Sequence, residues 1–223
     1  MNNLCISSET YKLELNDIIA LRDFEAKYKG RKEIVILLRK DQPDCLLCGR
    51  SLVEAAKQNG ESYVDVRVAF ITEIKPYDFV SMFIRPLRFK HQFWSSNIYH
   101  MSPFEIRKMK IERCFRDRNT AYTFTNPIYR RTDAERIARY EKLCDSLSKG
   151  YDDKYPIEIM PLRMLGVKDT VNNGHHRIAV ALECGIARVA INFKVVGKAP
   201  KLLTPIFKIM ADSAIKLKQY NSK

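Results

Sequence analysis

Val171-Asn172-Asn173-Gly174-His175-His176-Arg177-Ile178-Ala179-Val180-Ala181 is the stretch on which the fold of this chain turns. A short strand runs into a glycine, and an apolar helix follows at once. Glycine lets the backbone turn tightly there and lets a ligand approach without meeting a Cβ. The amides of His175, His176 and Arg177 then fall in the first helical turn, where no intrahelical acceptor exists for them. They converge on one place, and the helix dipole favours an anion in it. Arg177 adds a guanidinium that can grip two phosphate oxygens. Either imidazole can donate to phosphate or move a proton near neutral pH. Adjacent helical residues point about 100° apart, so the two histidines are expected to have different roles. A histidine alone would be read as a cap or a packing residue; the Gly-His-His-Arg cluster at a strand-to-helix junction points instead to Asn173, Gly174, His175, His176 and Arg177 as phosphate ligands.

Working outward, Gly185 closes this helix and Arg188–Phe193 forms the next strand. Upstream, Tyr155–Met160 reads as a strand, and a turn from Gly166 leads into a further short one. Before these, Asp133–Lys149 is a helix with Thr132 as its cap, Gly150 as its stop, and Ile137, Tyr140, Leu143, Cys144 and Leu147 as its apolar stripe. The same order stands earlier: Lys32–Arg39 is a buried strand, Asp41–Asp44 a turn, Ser51–Asn59 a helix closed by Gly60, and Tyr63–Val68 an alternating strand. Cys48–Gly60 lines up without gaps on Asn173–Gly185, both glycines coinciding. Chance and duplication both remain open for so short a match; under duplication the first copy lacks the His-His-Arg chemistry and is a structural partner.

The stretch from about Asn126 to Lys194 resembles the ParB/sulfiredoxin superfamily, which includes ParB N-terminal domains, sulfiredoxins and free-serine kinases. The resemblance rests on the order strand, turn, Asn-Gly-His-His-Arg, apolar helix, glycine, strand. It implies an α+β fold with a ParB/sulfiredoxin-like mixed sheet and short helices, ATP or CTP as cofactor together with Mg²⁺, and phosphate contacts from Gly174, His175, His176 and Arg177. Many relatives carry Asp where this chain has Asn173. Nearby carboxylates that could take over its role are Asp152, Asp153, Glu158 and Asp169; Asp153 and Glu158 join His175 and His176 as catalytic candidates. The sulfiredoxin cysteine is replaced by His175, which argues against sulfinate reduction. The arginine-rich box of partition proteins is absent and no helix-turn-helix is evident after Phe193, so plasmid partition fits poorly.

The remaining segments carry charge. The chain of 223 residues has a net charge of +13, an excess that favours an anionic partner over solubility alone. Phe79–Trp94 interleaves large apolar side chains with Arg85, Arg88 and Lys90, and with Trp94 these are candidate contacts to nucleic acid or to an anionic membrane. Arg107–Arg118 is a basic face whose plain reading is a solvated helix. Leu202–Gln219 predicts a basic amphipathic C-terminal helix, which docks on the core or binds an anionic membrane interface. The expected organisation is therefore an α/β half over residues 1–75, a basic aromatic connecting segment over 76–120, a nucleotide-binding unit over 121–197 and the C-terminal helix over 198–223.

No secretory signal or spanning apolar run is read, and six scattered cysteines suit reduced thiols, so a cytoplasmic location, with peripheral membrane association as an option, is expected. Cys45-Leu46-Leu47-Cys48 lacks the second ligand pair that a closed zinc site needs and favours packing; no metal-ligand set is assigned. The leading functional expectation is a nucleotide-dependent phosphotransferase acting on a small hydroxylated or lipid-linked substrate. The alternatives are a ParB-like nucleic-acid-binding protein or nuclease, and a non-catalytic nucleotide-binding switch. The acceptor, the nucleotide base and the oligomeric state are left open.

Overall fold

A computed structural model describes residues 3–7, 9–24, 32–72, 92–108, 133–161 and 170–196. In chain order the first half contains β1 (Asn3–Ile6), β2 (Tyr11–Glu14), α1 (Leu15–Ile19), β3 (Arg22–Asp23), β4 (Ile34–Leu38), β5 (Cys45–Cys48), α2 (Arg50–Gln58) and β6 (Tyr63–Thr72). The second half contains β7 (Gln92–Trp94), β8 (Tyr99–Met101), α3 (Pro103–Lys108), α4 (Asp133–Leu147), β9 (Ile157–Met160), β10 (Thr170–Asn173), α5 (His175–Glu183) and β11 (Val189–Val196). The strands form one mixed sheet in the order β10-β9-β11-β8-β2-β6-β4-β5-β3, with β1 added to β6 and β7 to β11. The fold is α+β with a mixed sheet and short helices.

The two halves repeat one another, apart from β3, which has no counterpart among the described residues. In the first, β4 pairs antiparallel with β5, α2 crosses over, and β6 returns parallel to β4 with Ile34 opposite Val66. In the second, β9 pairs antiparallel with β10, α5 crosses over, and β11 returns parallel to β9 with Ile157 opposite Ile191. Both hairpins carry a register irregularity, and Val66 follows Gly49 at the same interval as Ile191 follows Gly174.

The repeat continues on the other edge of each long strand. Tyr11 of β2 sits opposite Val66, and Tyr99 of β8 opposite Ile191. Ser7 and Ser95 hold equivalent places. The Ser7 amide donates to the Val68 carbonyl at 2.8 Å and the Val68 amide donates to Ser7 Oγ at 3.1 Å. The Ser95 amide donates to the Phe193 carbonyl at 2.8 Å and the Phe193 amide to Ser95 Oγ at 3.1 Å. Ile18 of α1 and Ile106 of α3 likewise point into the core from matching positions. β2 and β8 meet antiparallel at Leu13 and Met101, which are themselves equivalent residues. A local pseudo-two-fold axis therefore passes through that pair.

This duplicated unit begins earlier than residue 121. β7, β8 and α3 lie inside the segment 76–120 that was expected to be a connection, yet they form part of the sheet and its helical layer. Their strands are too short to show a run of alternation, which is why sequence pattern passed over them. The expected C-terminal helix over 202–219 and the residues Arg85, Arg88, Lys90 and Asp169 lie outside the described residues.

One continuous apolar core joins both halves on the helical face, from Tyr11, Leu13, Val66 and Phe70 to Tyr99, Met101, Ile191 and Phe193. The Tyr11 and Phe193 rings meet edge to face at 4.9 Å across the seam. On the other face of the first half a second cluster forms around Val35, Leu37, Cys45, Leu47 and Ala69. β4 is thus buried on both faces, which explains its unbroken Ile-Val-Ile-Leu-Leu run. Burial pushes the Cys45 and Cys48 thiols up, away from the thiolate form that a metal ligand or nucleophile needs. Asp44, in the β4–β5 turn, ties the halves together. Its Oδ2 accepts the Asn97 amide at 3.1 Å and the Tyr99 hydroxyl at 2.9 Å, and its own amide donates to Ser96 Oγ at 2.7 Å.

Candidate functional site

Gly174 takes φ 100° and ψ 12°, a left-handed conformation that L-residues avoid, and caps α5. A Cβ placed there would stand 3.0 Å from Ile157 Cγ1 and 3.3 Å from its Cα, so only glycine seats the turn against β9 without displacement. The Ile178 amide closes the first turn on the Gly174 carbonyl at 3.0 Å. Gly49 repeats the geometry at φ 99° over Ile34. After it, however, Arg50 stands where the second half has His175. Its guanidinium donates to Asp23 Oδ1 at 2.8 Å and to the Leu21 carbonyl, fastening β3 and the turn before it. The first copy has become a staple.

The predicted ligands divide. His175 Nε2 lies 3.0 Å from the Val171 carbonyl, where it locks the strand-to-helix turn as the protonated nitrogen. The His176 ring packs edge-on against Tyr140 of α4, with centroids 6.1 Å apart. Arg177 reaches across to the loop before β9, donating through Nη1 to the Tyr155 carbonyl and to the Pro156 carbonyl at 2.9 Å. The Tyr151 hydroxyl donates to the same Tyr155 carbonyl at 2.8 Å. Burial pushes the Tyr151 phenol up, while the adjacent Arg177 guanidinium opposes the shift.

Beside this loop lies a cleft of about 330 Å³ lined by Arg139, Lys142, Ser146, Tyr151, Asp152, Tyr155 and Arg177, with Leu143 and Leu147 at its back. Arg139, Lys142, Leu143 and Ser146 follow one another at helical spacing on α4, so that one face of the helix presents two cations to the cleft. That face was not recognised from sequence. The signal was present in the i, i+3, i+7 spacing, but the apolar stripe beside it, Tyr140, Leu143, Cys144 and Leu147, dominated the helix. Of the turn residues, Arg177 alone lines the cleft among the described residues.

Glu158 does not join this group. Strand alternation turns Ile157 and Ile159 toward the helical face, which holds α5, and Glu158 toward the opposite one. There Glu158 Oε2 lies 3.6 Å from Lys194 Nζ, which in turn sits 5.0 Å from the centre of the half-exposed Trp94 ring. Asn173, exposed at the end of β10, pairs with Glu158 in the ladder. Asp153 instead turns to the seam between the halves, where its Oδ2 lies 3.1 Å from His100 Nε2.

Comparison of the chain with protein-family models, with curated proteins and with solved structures finds no match. No helix among the described residues is long and apolar enough to cross a membrane.

Proposed function

We propose that the cleft between α4 and the start of α5 is a nucleotide-phosphate site, and that the chain is a nucleotide-dependent phosphotransferase of ParB/sulfiredoxin type. The observation that carries this is the convergence of Arg139, Lys142 and Arg177 on one cleft beside a glycine-initiated helix. Three cations converging on one cleft suit a polyphosphate. Tyr155, largely exposed, and Tyr151 offer aromatic surface to a base. The volume lies within the range of small-ligand pockets, about 300–1,000 Å³. ATP or CTP is the cofactor and a small hydroxylated or lipid-linked molecule the acceptor.

Phosphoryl transfer depends mainly on positioning and on neutralising charge. In this scheme Arg139 and Lys142 neutralise the phosphates, and Arg177 holds the Tyr155–Pro156 segment that forms one wall. Asp152, on the cleft and exposed, orients the acceptor hydroxyl. One carboxylate and one hydroxyl, Asp152 and Ser146, suit Mg²⁺, which keeps most of its contacts to phosphate and water. The bound ion supplies charge neutralisation of the phosphate oxygens. His175 and His176 support the turn and α4 rather than move protons.

Titration of the full chain with ATP and CTP tests the site. Lys142→Ala and Arg139→Ala are the informative variants, because Arg177→Ala also releases the Tyr155–Pro156 wall. Each lost charge-assisted contact is expected to weaken binding by about tenfold or more. Absence of nucleotide binding in the wild-type chain, or equal affinity in the Arg139→Ala/Lys142→Ala double variant, overturns the proposal. Product analysis with candidate acceptors follows; saturable binding without product makes the chain a switch and removes the transferase assignment.

A further inference from the structure

The Leu13–Met101 pair at the seam places Glu14 of β2 beside His100 of β8, and α1 brings Asp17 to the same point. His100 Nδ1 lies 3.3 and 3.2 Å from the two Asp17 carboxylate oxygens. The His100 amide donates to Asp17 Oδ2 at 2.6 Å, and His100 Nε2 lies 3.1 Å from Asp153 Oδ2. One ligand atom from each of Glu14, Asp17 and His100 lies within 4.8 Å of the others. The Arg188 guanidinium holds Glu14 Oε2 at 2.9 Å, and the Tyr63 hydroxyl hydrogen-bonds to the same carboxylate.

A neutral imidazole carries one N–H. If Nε2 donates to Asp153, the lone pair of Nδ1 faces the carboxylate oxygens of Asp17, an arrangement that repels unless a cation stands between them. Three carboxylates, Glu14, Asp17 and Asp153, gather around His100, and among the described residues Arg188 pairs with Glu14. Ligand atoms on a tetrahedral ion at about 2.0–2.2 Å stand roughly 3.3–3.6 Å apart. The Nδ1 to Asp17 separations of 3.2 and 3.3 Å approach that edge length without rearrangement of the chain. Asp153 at Nε2 is the outer carboxylate that orients a metal-bound histidine.

We propose that His100 Nδ1, Asp17 and Glu14 bind a divalent transition-metal ion, oriented by Asp153, and that the ion fastens the two halves at their seam. The mixed nitrogen and oxygen donor set suits Zn²⁺ or Mn²⁺, whereas Mg²⁺ favours oxygen alone. Among the described residues the site has no equivalent. Under the pseudo-two-fold, Lys12 takes the place of His100 and Ser102 that of Glu14, while Glu105, the counterpart of Asp17, pairs with Lys108 at 2.9 Å. It is separate from the phosphate proposal, since Asp152 and Lys142 take no part in it.

The test is titration of chelator-treated full-length chain with ZnCl₂ and with MnCl₂ by calorimetry, without nucleotide, together with melting temperature. One equivalent is expected to bind and to raise the melting temperature. Asp153→Asn is expected to lower affinity by about 10–100-fold through loss of the orienting carboxylate. His100→Ala and Asp17→Asn should abolish binding; if either fails to fold, the exposed Asp153→Asn variant and Glu14→Gln decide. No saturable binding by the wild-type chain, or unchanged affinity in Asp153→Asn and Glu14→Gln, overturns the proposal. So does a melting temperature that neither metal raises.

Discussion

The equivalent glycines offer a matched pair of perturbations inside one molecule. Gly49→Ala and Gly174→Ala make the same chemical change at φ 99° and φ 100°. Each costs about 1–2 kcal/mol for placing an L-residue in the left-handed region. The surroundings then separate them. The new Cβ at 49 would stand 2.7 Å from the Glu33 carbonyl oxygen and 2.7 Å from Ile34 Cα, both backbone atoms at the start of the buried strand β4. The Cβ at 174 meets first Ile157 Cγ1 at 3.0 Å, a side-chain atom that can shift. Overpacking against a rigid neighbour adds about 1–3 kcal/mol, so Gly49→Ala should lose about 2–5 kcal/mol and Gly174→Ala about 1–2 kcal/mol. Urea denaturation followed by far-ultraviolet circular dichroism reads the difference as a shift in midpoint at constant slope. Nucleotide affinity should order them the other way, falling in Gly174→Ala and holding in folded Gly49→Ala. Equal losses of stability, or a larger loss at Gly174, would refute the reasoning from close approach.

Two further substitutions probe the repeat and its seam. Ser7→Ala and Ser95→Ala each remove the Oγ acceptor of a buried amide, Val68 or Phe193, and should each cost about 1–3 kcal/mol. Because the two geometries match, the losses should match, and hydrogen exchange should accelerate at the Val68 amide in one variant and the Phe193 amide in the other; unchanged exchange would contradict the assigned bonds. Tyr99→Phe takes one donor from Asp44, whose carboxyl burial pushes above its ordinary 3.8. A carboxyl with a raised folded value destabilises the fold only when ionised, so that penalty is absent below 3.8 and grows as pH rises through the folded value. Losing a donor to the charged form should therefore cost about 1.5–3 kcal/mol at neutral pH and less as the medium is acidified. Paired urea titrations of variant and wild type over a pH series measure it, and a difference independent of pH would exclude Asp44 as the group concerned.

Much of the second unit was legible because its signals are local. Gly174, the apolar helix after it, Gly185 and the strand from Val189 lie within a few residues of one another, and each choice follows from backbone sterics or helical spacing. The same grammar made the alignment of Gly49 on Gly174 visible. What escaped was the other part of the repeat, Ser7-Ser8-Glu9-Thr10-Tyr11 against Ser95-Ser96-Asn97-Ile98-Tyr99. Its strands are only a few residues long, and its meaning lies in bonds from Ser7 and Ser95 to amides on β6 and β11. At the site, residue type did not reveal direction. The sequence marked Arg177 as a cation near a helix start, but its guanidinium turns to the carbonyls of Tyr155 and Pro156. Arg139 and Lys142 supply cleft charges that the turn alone does not explain.

By itself the sequence determined the local elements around the two glycine turns, β4, α2 and β6 in the first half and α4, β9, α5 and β11 in the second, because those outcomes depend on neighbours along the chain. The tertiary structure decided the rest: that β2 and β8 join the halves at Leu13 and Met101, that α4 faces its cations to α5, that Glu158 turns from the cleft, and that His100 meets Asp17 and Asp153. Those contacts span large sequence separations, and their partners are chosen by sheet register. A shift of one residue in that register would send each side chain to the other face.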